Sequence, residues 1–481
     1  MDIKKTTING LILIGSSKVI QQGLGIVITI ILAKLLSPKA FGLIGIVSVY
    51  TALVSTFSNL GLGSALVQKK EINQIQLSTL FWISLIGGMI SALIIALTAY
   101  PISRFYNEPE LFYLTLALSI NFIIAPFFQI NRKLLERELR FGAVGLASVI
   151  AILLSGIAGV GTALLKFGAW SLVIQSISLE LCYLVIFFLQ RRWMPDFAFD
   201  LKSCRELIYF GMHMVGSYLT GYFEKNLDSL LIGKLLGAIS LGYYTLAIKI
   251  MYMPIRQISL IFTDVLFPVF SKIQDQLPKI QSGYLKSIRF TSLITFPLMT
   301  LVFLLSEDFV LALWGEKWFP SVPVIKILAT AGAIQSVIEI GWAIFPALSK
   351  PGTRMRLGIF NVATIGFAVI FGKNWGIEGI AYGILFSRLA IFVVSQLLLN
   401  RLIRLRFYEI LDSFAISVLG CGVLIVIDML LRSRGVFLNR GELMVLFGVA
   451  IVYVVIYAIY LVILDMKDLK YMINGVLRSY R

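Results

Sequence analysis

Apolar runs of about twenty residues follow one another along nearly the whole chain, separated only by short polar connections. A run of that length crosses the hydrocarbon of a bilayer as a helix. There is no water inside the bilayer to take up backbone N–H and C=O groups, so each segment has to satisfy its own by coiling. Hydropathy marks about fourteen spans, near 10–36, 41–67, 77–100, 111–130, 142–165, 168–189, 208–233, 238–263, 288–306, 321–347, 357–372, 376–399, 412–431 and 442–464. The longest connections, 190–207, 270–287 and 305–320, are too short for an independent soluble domain. Composition closes the point. The 481 residues are 58% hydrophobic and 14% charged, with mean hydropathy +0.91, whereas a soluble domain is about a quarter charged. A soluble helical protein would also need polar helix faces, which most of these runs lack.

A formal net charge of +17 ordinarily suggests a nucleic-acid partner. Here the Lys and Arg residues lie in short connections between apolar runs, where they set orientation and meet anionic lipid headgroups. No nucleic acid is expected. The even-numbered connections carry most of these residues, among them Lys69, Lys70, Arg132, Lys133, Arg191 and Arg192. That bias places both termini in the cytoplasm, and an even number of spans agrees. Lys4 and Lys5 before the first run mimic a signal peptide. The run continues to about Leu36 with Lys18, Gln21 and Gln22 inside it and lacks a small-residue cleavage site, so it reads as the first membrane helix. Cys182, Cys204 and Cys421 are scattered, and His213 is the single histidine. Neither a disulfide framework nor a metal site follows, and no cofactor is expected.

The chain is built twice. The stretch 31–42 matches 231–242 at an offset of 200, with Lys34 on Lys234, Leu35 and Leu36 on Leu235 and Leu236, and Gly42 on Gly242. The stretch 138–142 after span four resembles 354–358 after span ten, and 166–168 before span six resembles 374–376 before span twelve. Each match is six spans apart. Because six is even, the halves share one orientation, a parallel repeat about an axis along the membrane normal. The expected organisation is an N-terminal lobe 1–206 (spans 1–6), a C-terminal lobe 207–400 (spans 7–12), and an addition 401–481 holding spans 13–14 and a cytoplasmic tail.

Polar stripes run along three spans. Span seven carries His213, Ser217, Gly221, Glu224 and Asp228, and span eight carries Thr245, Lys249, Tyr252, Arg256, Ser259 and Thr263. Span one carries Lys18, Gln22, Gly25 and Thr29. Intervals of three and four put each set on one helix face, and such faces belong against the bundle interior or a wet cavity rather than lipid. Glu339 with Gln335, and Arg388 with Gln396, are weaker signals on spans ten and twelve. Among the intramembrane cations, Lys225 and Lys249 can pair with Glu224 or Asp228, and Arg256 can reach the interface. Lys18 and Arg388 have no acid nearby on their own helices and are the better candidates for an anionic substrate.

Several motifs lead nowhere. Gly10–Ser17 has P-loop glycine spacing without the lysine and lies in a span. Gly379 and Gly383 have the spacing of a helix-packing motif. Trp314 and Trp318 read as an aromatic belt at the outer interface, and Asp264 as interfacial. Glu307, Asp308 and Glu316 form the one acidic cluster in an outer connection, and no Asp-x-Asp sugar-nucleotide motif is present.

The run 226–237, followed by 241–247 and Phe267-Pro268, resembles the polysaccharide-export flippases of the MOP exporter superfamily (Wzx type). Leu139–Phe141 and Gly315–Trp318 share that resemblance, which covers essentially the whole chain and is nearest the colanic-acid and teichuronic-acid exporter branch. It implies an all-α integral membrane fold, two six-helix lobes flanking a central cavity and two added C-terminal helices, which could guide a lipid tail. It implies transport of undecaprenyl-diphosphate-linked oligosaccharides to the outer leaflet, with a cationic cavity for the diphosphate. Expected partners are the lipid-linked oligosaccharide, membrane lipids, and a polysaccharide polymerase with its export machinery; the repeat makes a working monomer plausible. Lys18, Lys249, Arg256 and Arg388 are the expected diphosphate contacts. Glu224, Lys225, Asp228 and Glu339 are expected to bind a coupling Na⁺ or H⁺, or to balance charge. A multidrug antiporter of the same superfamily is the alternative, although such proteins favour acidic cavities. A membrane glycosyltransferase or polymerase would need a large extramembrane loop or an interfacial carboxylate site, so no enzyme is expected and no residue is expected to be catalytic.

Overall fold

The computed structural model describes residues 3–58, 73–257, 259–435 and 443–464, and among them it is all-helical, with no strand. The helices are α1 (Ile3–Leu35), α2 (Pro38–Ser58), α3 (Gln74–Tyr106), α4 (Glu110–Arg137), α5 (Phe141–Leu164), α6 (Trp170–Arg191) and α7 (Leu201–Gln257). They continue as α8 (Ser259–Lys272), α9 (Leu277–Leu313), α10 (Ser321–Ala347), α11 (Pro351–Gly372), α12 (Gly376–Ile403), α13 (Phe407–Ser433) and α14 (Leu443–Leu464). Among the described residues, eleven stretches are long and apolar enough to cross a membrane. Two of them, Leu219–Ile255 and Pro351–Ile403, each contain a break between two helices, and with the shorter apolar helix α14 every expected span has its helix. Lys69, Lys70 and the chain ends lie outside the described residues, as do the side chains of His213, Ser217, Arg256, Ser259, Thr263 and Asp264.

Local chemistry sets the corners. Asn73 caps α3 by accepting the Gln76 N–H at 2.9 Å, and Asn107 ends the helix in the left-handed region at φ 56°, a conformation Asn tolerates. Gly237 (φ 83°, ψ 174°) breaks α7 into two limbs, where a side chain would be strained. The break stands at an offset of 200 from Ser37, the turn between α1 and α2. The two corners also touch reciprocally: a Cβ on Gly42 would collide with the Ala238 carbonyl, and one on Gly242 with the Pro38 carbonyl. Equivalent residues of the two repeat halves thus occupy equivalent places in one contact.

By packing, the chain forms two units, Met1–Gly242 and Tyr243–Arg481. In the first, α2 packs on α4, α3 on α4, α4 on α6, α5 on α6, and α1 on α5. In the second, α8 packs on α10, α9 on α10, α10 on α12, and α11 on α12. Four of the first unit's pairings recur six helices later, which is the repeat in three dimensions. The first limb of α7 is tied into the first unit by tyrosine hydroxyls. Tyr222 donates to the Val49 carbonyl at 3.0 Å, and Tyr106 to the Leu230 carbonyl at 3.2 Å. The packing boundary therefore lies after Gly242, one span later than the 206/207 division drawn from sequence matching.

The connection between the repeat halves is fastened to α3. Trp82 Nε1 donates to the Asp196 carbonyl at 2.9 Å, and the Asp196 and Asp200 N–H groups donate to Ser78 and Thr79 at 2.9 and 3.0 Å. Trp193 Nε1 donates to Gln74 at 2.7 Å. The packing reading of Gly379 and Gly383 holds, because they lie against Gly372 and Ala368 of α11.

Candidate functional site

In lipid, polar side chains gain little from solvent and much from each other, so each stripe residue has to be followed to its partner. In the first unit Lys18 is exposed on α1, while Thr29 of the same stripe bonds back to the Gly25 carbonyl at 2.7 Å. Glu224 and Asp228 are buried, at 7% and 3% exposure. Asp228 accepts the Ser229 N–H at 2.6 Å, and both acids make further polar contacts. Lys225 turns away to an exposed position and forms no ion pair among the described residues.

In the second unit Lys249 is exposed on the second limb of α7, and it too has a polar partner. Glu339 of α10 is half-buried and accepts a hydrogen bond from Gln335 Nε2 at 2.7 Å. Gln396 of α12 accepts from the Tyr284 hydroxyl of α9 at 2.8 Å, a buried contact between helices.

Arg388 behaves differently. It is 1% exposed. Its Nη1 donates to Asn361 Oδ1 of α11 at 2.9 Å, and Thr364 and Ser387 share a hydroxyl contact of 2.7 Å beside it. Its Nε has no acceptor, and no carboxylate pairs with it among the described residues. A guanidinium carries five donors and stays charged, so one amide oxygen leaves both its charge and its donor fork largely unmet. Of the eight expected site residues, Lys18, Glu224, Lys225 and Asp228 belong to the first unit and Lys249, Arg256, Glu339 and Arg388 to the second.

The structure corrects two expectations. Trp314 and Trp318 are buried, at 3% and 0% exposure, rather than exposed as an interface belt. They pack with each other and with Phe309 and Tyr243, where the Glu316–Trp318 3₁₀ turn packs against α9. Lys317 in the same turn is partly covered, and desolvation draws its ammonium below the ordinary lysine range. Asp308 is likewise no free outer carboxylate. It is buried near the end of α9 and meets Arg432 of α13 at 3.2 Å.

Arg432 is the centre of a cluster the sequence reading missed. It also binds Asp428 at 2.9 Å and donates to the Leu304 carbonyl at 2.9 Å. The Tyr453 hydroxyl of α14 completes Asp428 at 2.7 Å. The added helices α13 and α14 are thereby held to α9 by ionic and hydroxyl contacts. The available signal was Asp428 and Arg432 one turn apart at the end of an apolar run, an arrangement that favours pairing.

A family model of polysaccharide biosynthesis proteins matches residues 31–323. The lipopolysaccharide biosynthesis protein WzxC of Escherichia coli K12 is 29% identical over 405 residues, covering 82% of this chain and 81% of that protein. The teichuronic acid biosynthesis protein TuaB of Bacillus subtilis is 30% identical over 294 residues, 60% of each. The succinoglycan biosynthesis transport protein ExoT of Rhizobium meliloti is 26% identical over 351 residues, covering 70% of this chain and 71% of that one. Among solved structures, the lipid II flippase MurJ in an inward closed conformation superposes with a TM-score of 0.72 at 13% identity, over 95% of this chain and all of that one. An inward-facing MATE multidrug transporter of the MOP superfamily gives 0.65 at 17% identity, over 80% and 94%. At those identities the likeness is one of fold. With its family model spanning both units, this multi-pass membrane chain belongs to the polysaccharide biosynthesis protein family.

Proposed function

We propose that the chain moves undecaprenyl-diphosphate-linked oligosaccharide repeat units from the cytoplasmic to the outer leaflet of a bacterial cytoplasmic membrane, for cell-surface polysaccharide. The relatives' names supply the polysaccharide context, and Arg388 supplies the chemistry. A membrane protein that buries an arginine with only an amide for partner holds a charge available to an anion. A diphosphate cannot enter hydrocarbon unpaired, and a guanidinium fork matches phosphate oxygens two at a time. Arg388 is covered in this conformation, so its contact with substrate belongs to a state in which α11 and α12 are opened. Lys18, Lys249 and Arg256 are the further cations assigned to the diphosphate.

The repeat lobes 1–206 and 207–400, rocking about a cavity, would expose it to each side in turn, with 401–481 as the added part. Glu224, Asp228 and Glu339 are the acids proposed for Na⁺ or H⁺ coupling, with Lys225 as a balancing charge. The proposal has both termini in the cytoplasm, a working monomer, and a polymerase downstream. No bond is made or broken in the cycle, so no catalytic residue is assigned.

The test is export in a panel of flippase-deficient hosts expressing the chain, scored by surface polysaccharide and by lipid-linked intermediate left in the cytoplasmic leaflet. Rescue that disappears on Lys18→Ala or Arg388→Ala, with membrane protein levels unchanged, is the expected result. Rescue that survives alanine at every assigned cation defeats the diphosphate assignment. Extrusion of cationic dyes with no rescue in any host would make the chain a drug antiporter.

A further inference from the structure

Glu180 is the eleventh of the twenty-two residues of α6, about 15 Å from either end at the helical rise, the middle of a helix long and apolar enough to cross a membrane. It is half-buried. Its Oε2 is fully covered and has no hydrogen-bond partner, and no ion pair reaches the carboxylate among the described residues. The helices packed along α6 are α4 and α5. α5 contains no titratable residue at all. On α4 the one charge whose field reaches Glu180 is Arg132, whose Nε is already bound to Glu136 Oε1 at 3.1 Å. Glu136 also takes Lys133 at 2.7 Å, and Arg137 is engaged elsewhere. On α6 itself, Tyr183 and Cys182 are the neighbouring titratable groups, and Arg191 pairs with Glu138 at 2.9 Å.

A second observation points the same way. Asn121 of α4 donates through Nδ2 to Ser176 Oγ at 2.9 Å, one turn before Glu180. Its Oδ1 is left covered and without a donor. Two covered acceptor oxygens, from Glu180 and Asn121, thus occur within one turn of the α4–α6 contact. An ionised carboxylate there would add charge where donors are already lacking, at a penalty of several kcal/mol. A proton on the carboxyl removes the charge and supplies a donor.

We propose that Glu180 is a proton-binding site of the first unit and that its protonation is coupled to transport. The carboxyl takes a proton from water on one side of the membrane and returns it to water on the other, passing between the neutral acid and the carboxylate plus H⁺. No other group changes its bonding. The coupling half of this proposal rests on the transport reading above; the proton-binding half does not.

The experiment therefore has two arms. Native membranes containing the full chain are treated with dicyclohexylcarbodiimide, which modifies protonated carboxyls in apolar surroundings, across a series from acid to alkaline pH, and the peptide carrying Glu180 is followed by mass spectrometry. Expected is modification at Glu180 that declines as pH rises and is absent in Glu180→Gln. In the second arm, Glu180→Gln, matched to wild type in membrane level and size-exclusion profile, should lose the pH dependence of export, and Glu180→Asp should keep it. No modification at any pH, or protection by Na⁺ at constant pH instead of by alkali, overturns the proton site. Modification as expected, but with an unaltered pH profile in a rescued host, overturns the coupling. If no host is rescued at all, the transport reading fails while the labelling arm still decides the site.

Discussion

Arg432 and Arg388 lie in apolar helices of the second unit and are treated oppositely. Arg432 is gripped by Asp308 and Asp428, at 3.2 and 2.9 Å, with Tyr453 holding one of those acids. Arg388 is 1% exposed and has the Asn361 oxygen and, among the described residues, no carboxylate. Charge removed from water is tolerable when opposite charge and hydrogen bonds replace the lost hydration. The first arrangement meets that condition and reads as a fastening between α9, α13 and α14. The second does not, and a protein that keeps such a charge has a use for it beyond holding helices together.

The largest effect expected from this contrast is on Arg432→Met. It leaves two buried acids without their cation, at about 3–5 kcal/mol, and should appear as a much lower unfolding midpoint in detergent or as loss of folded protein. Adding Asp428→Asn to Arg432→Met should recover part of that loss, since one uncompensated charge is gone. Tyr453→Phe removes a single hydrogen bond to a carboxylate and should lower stability by about 1.5–3 kcal/mol, measured the same way. Arg388→Met should behave in the opposite sense. It strands one neutral amide, about 1 kcal/mol, while removing a charge with no carboxylate partner, so the midpoint should stay within about 1 kcal/mol of wild type as export falls. If Arg388→Met unfolds as Arg432→Met does, the two arginines are alike and the contrast is lost.

The contrast also shows what the sequence could and could not reveal. Span number and type were legible because about twenty apolar residues in lipid have one solution. The repeat was legible in Gly42 and Gly242, since close backbone approach admits only glycine, and the structure returns that as the reciprocal contact with Ala238 and Pro38. Arg388 stood out as a cation with no acid nearby on its own helix, Glu378 being ten residues away in the first turn. Partners across helices were not legible. Asp308 read as a loop acid, although α9 runs on through it to Leu313 and packs against α13, which buries it against Arg432. Trp314 and Trp318 read as an interface belt because their packing on Phe309 and Tyr243 has no trace in the sequence. Glu180 stands in the middle of an apolar run, but nothing along α6 tells that α5 brings no charge to it. Periodicity says which residues share a face; it does not say what lies opposite.

The smallest effect bounds the contrast from below. Ser292 of α9 and Ser417 of α13 meet at 3.0 Å, in the same pair of helices that Arg432 joins. Ser292 also donates to the Arg289 carbonyl of its own helix at 2.9 Å, so its hydroxyl is already provided for when the helices are apart. Ser292→Ala should therefore lower stability by only about 0.6 kcal/mol, the average for such contacts between membrane helices, and leave export intact. Measured beside Arg432→Met on the same interface, it separates what a neutral hydroxyl pair adds from what an ion cluster adds. A loss on Ser292→Ala approaching that of Arg432→Met would mean that tight packing, rather than charge, holds α13 to α9, and the unmet charge of Arg388 would no longer mark it out from its neighbours.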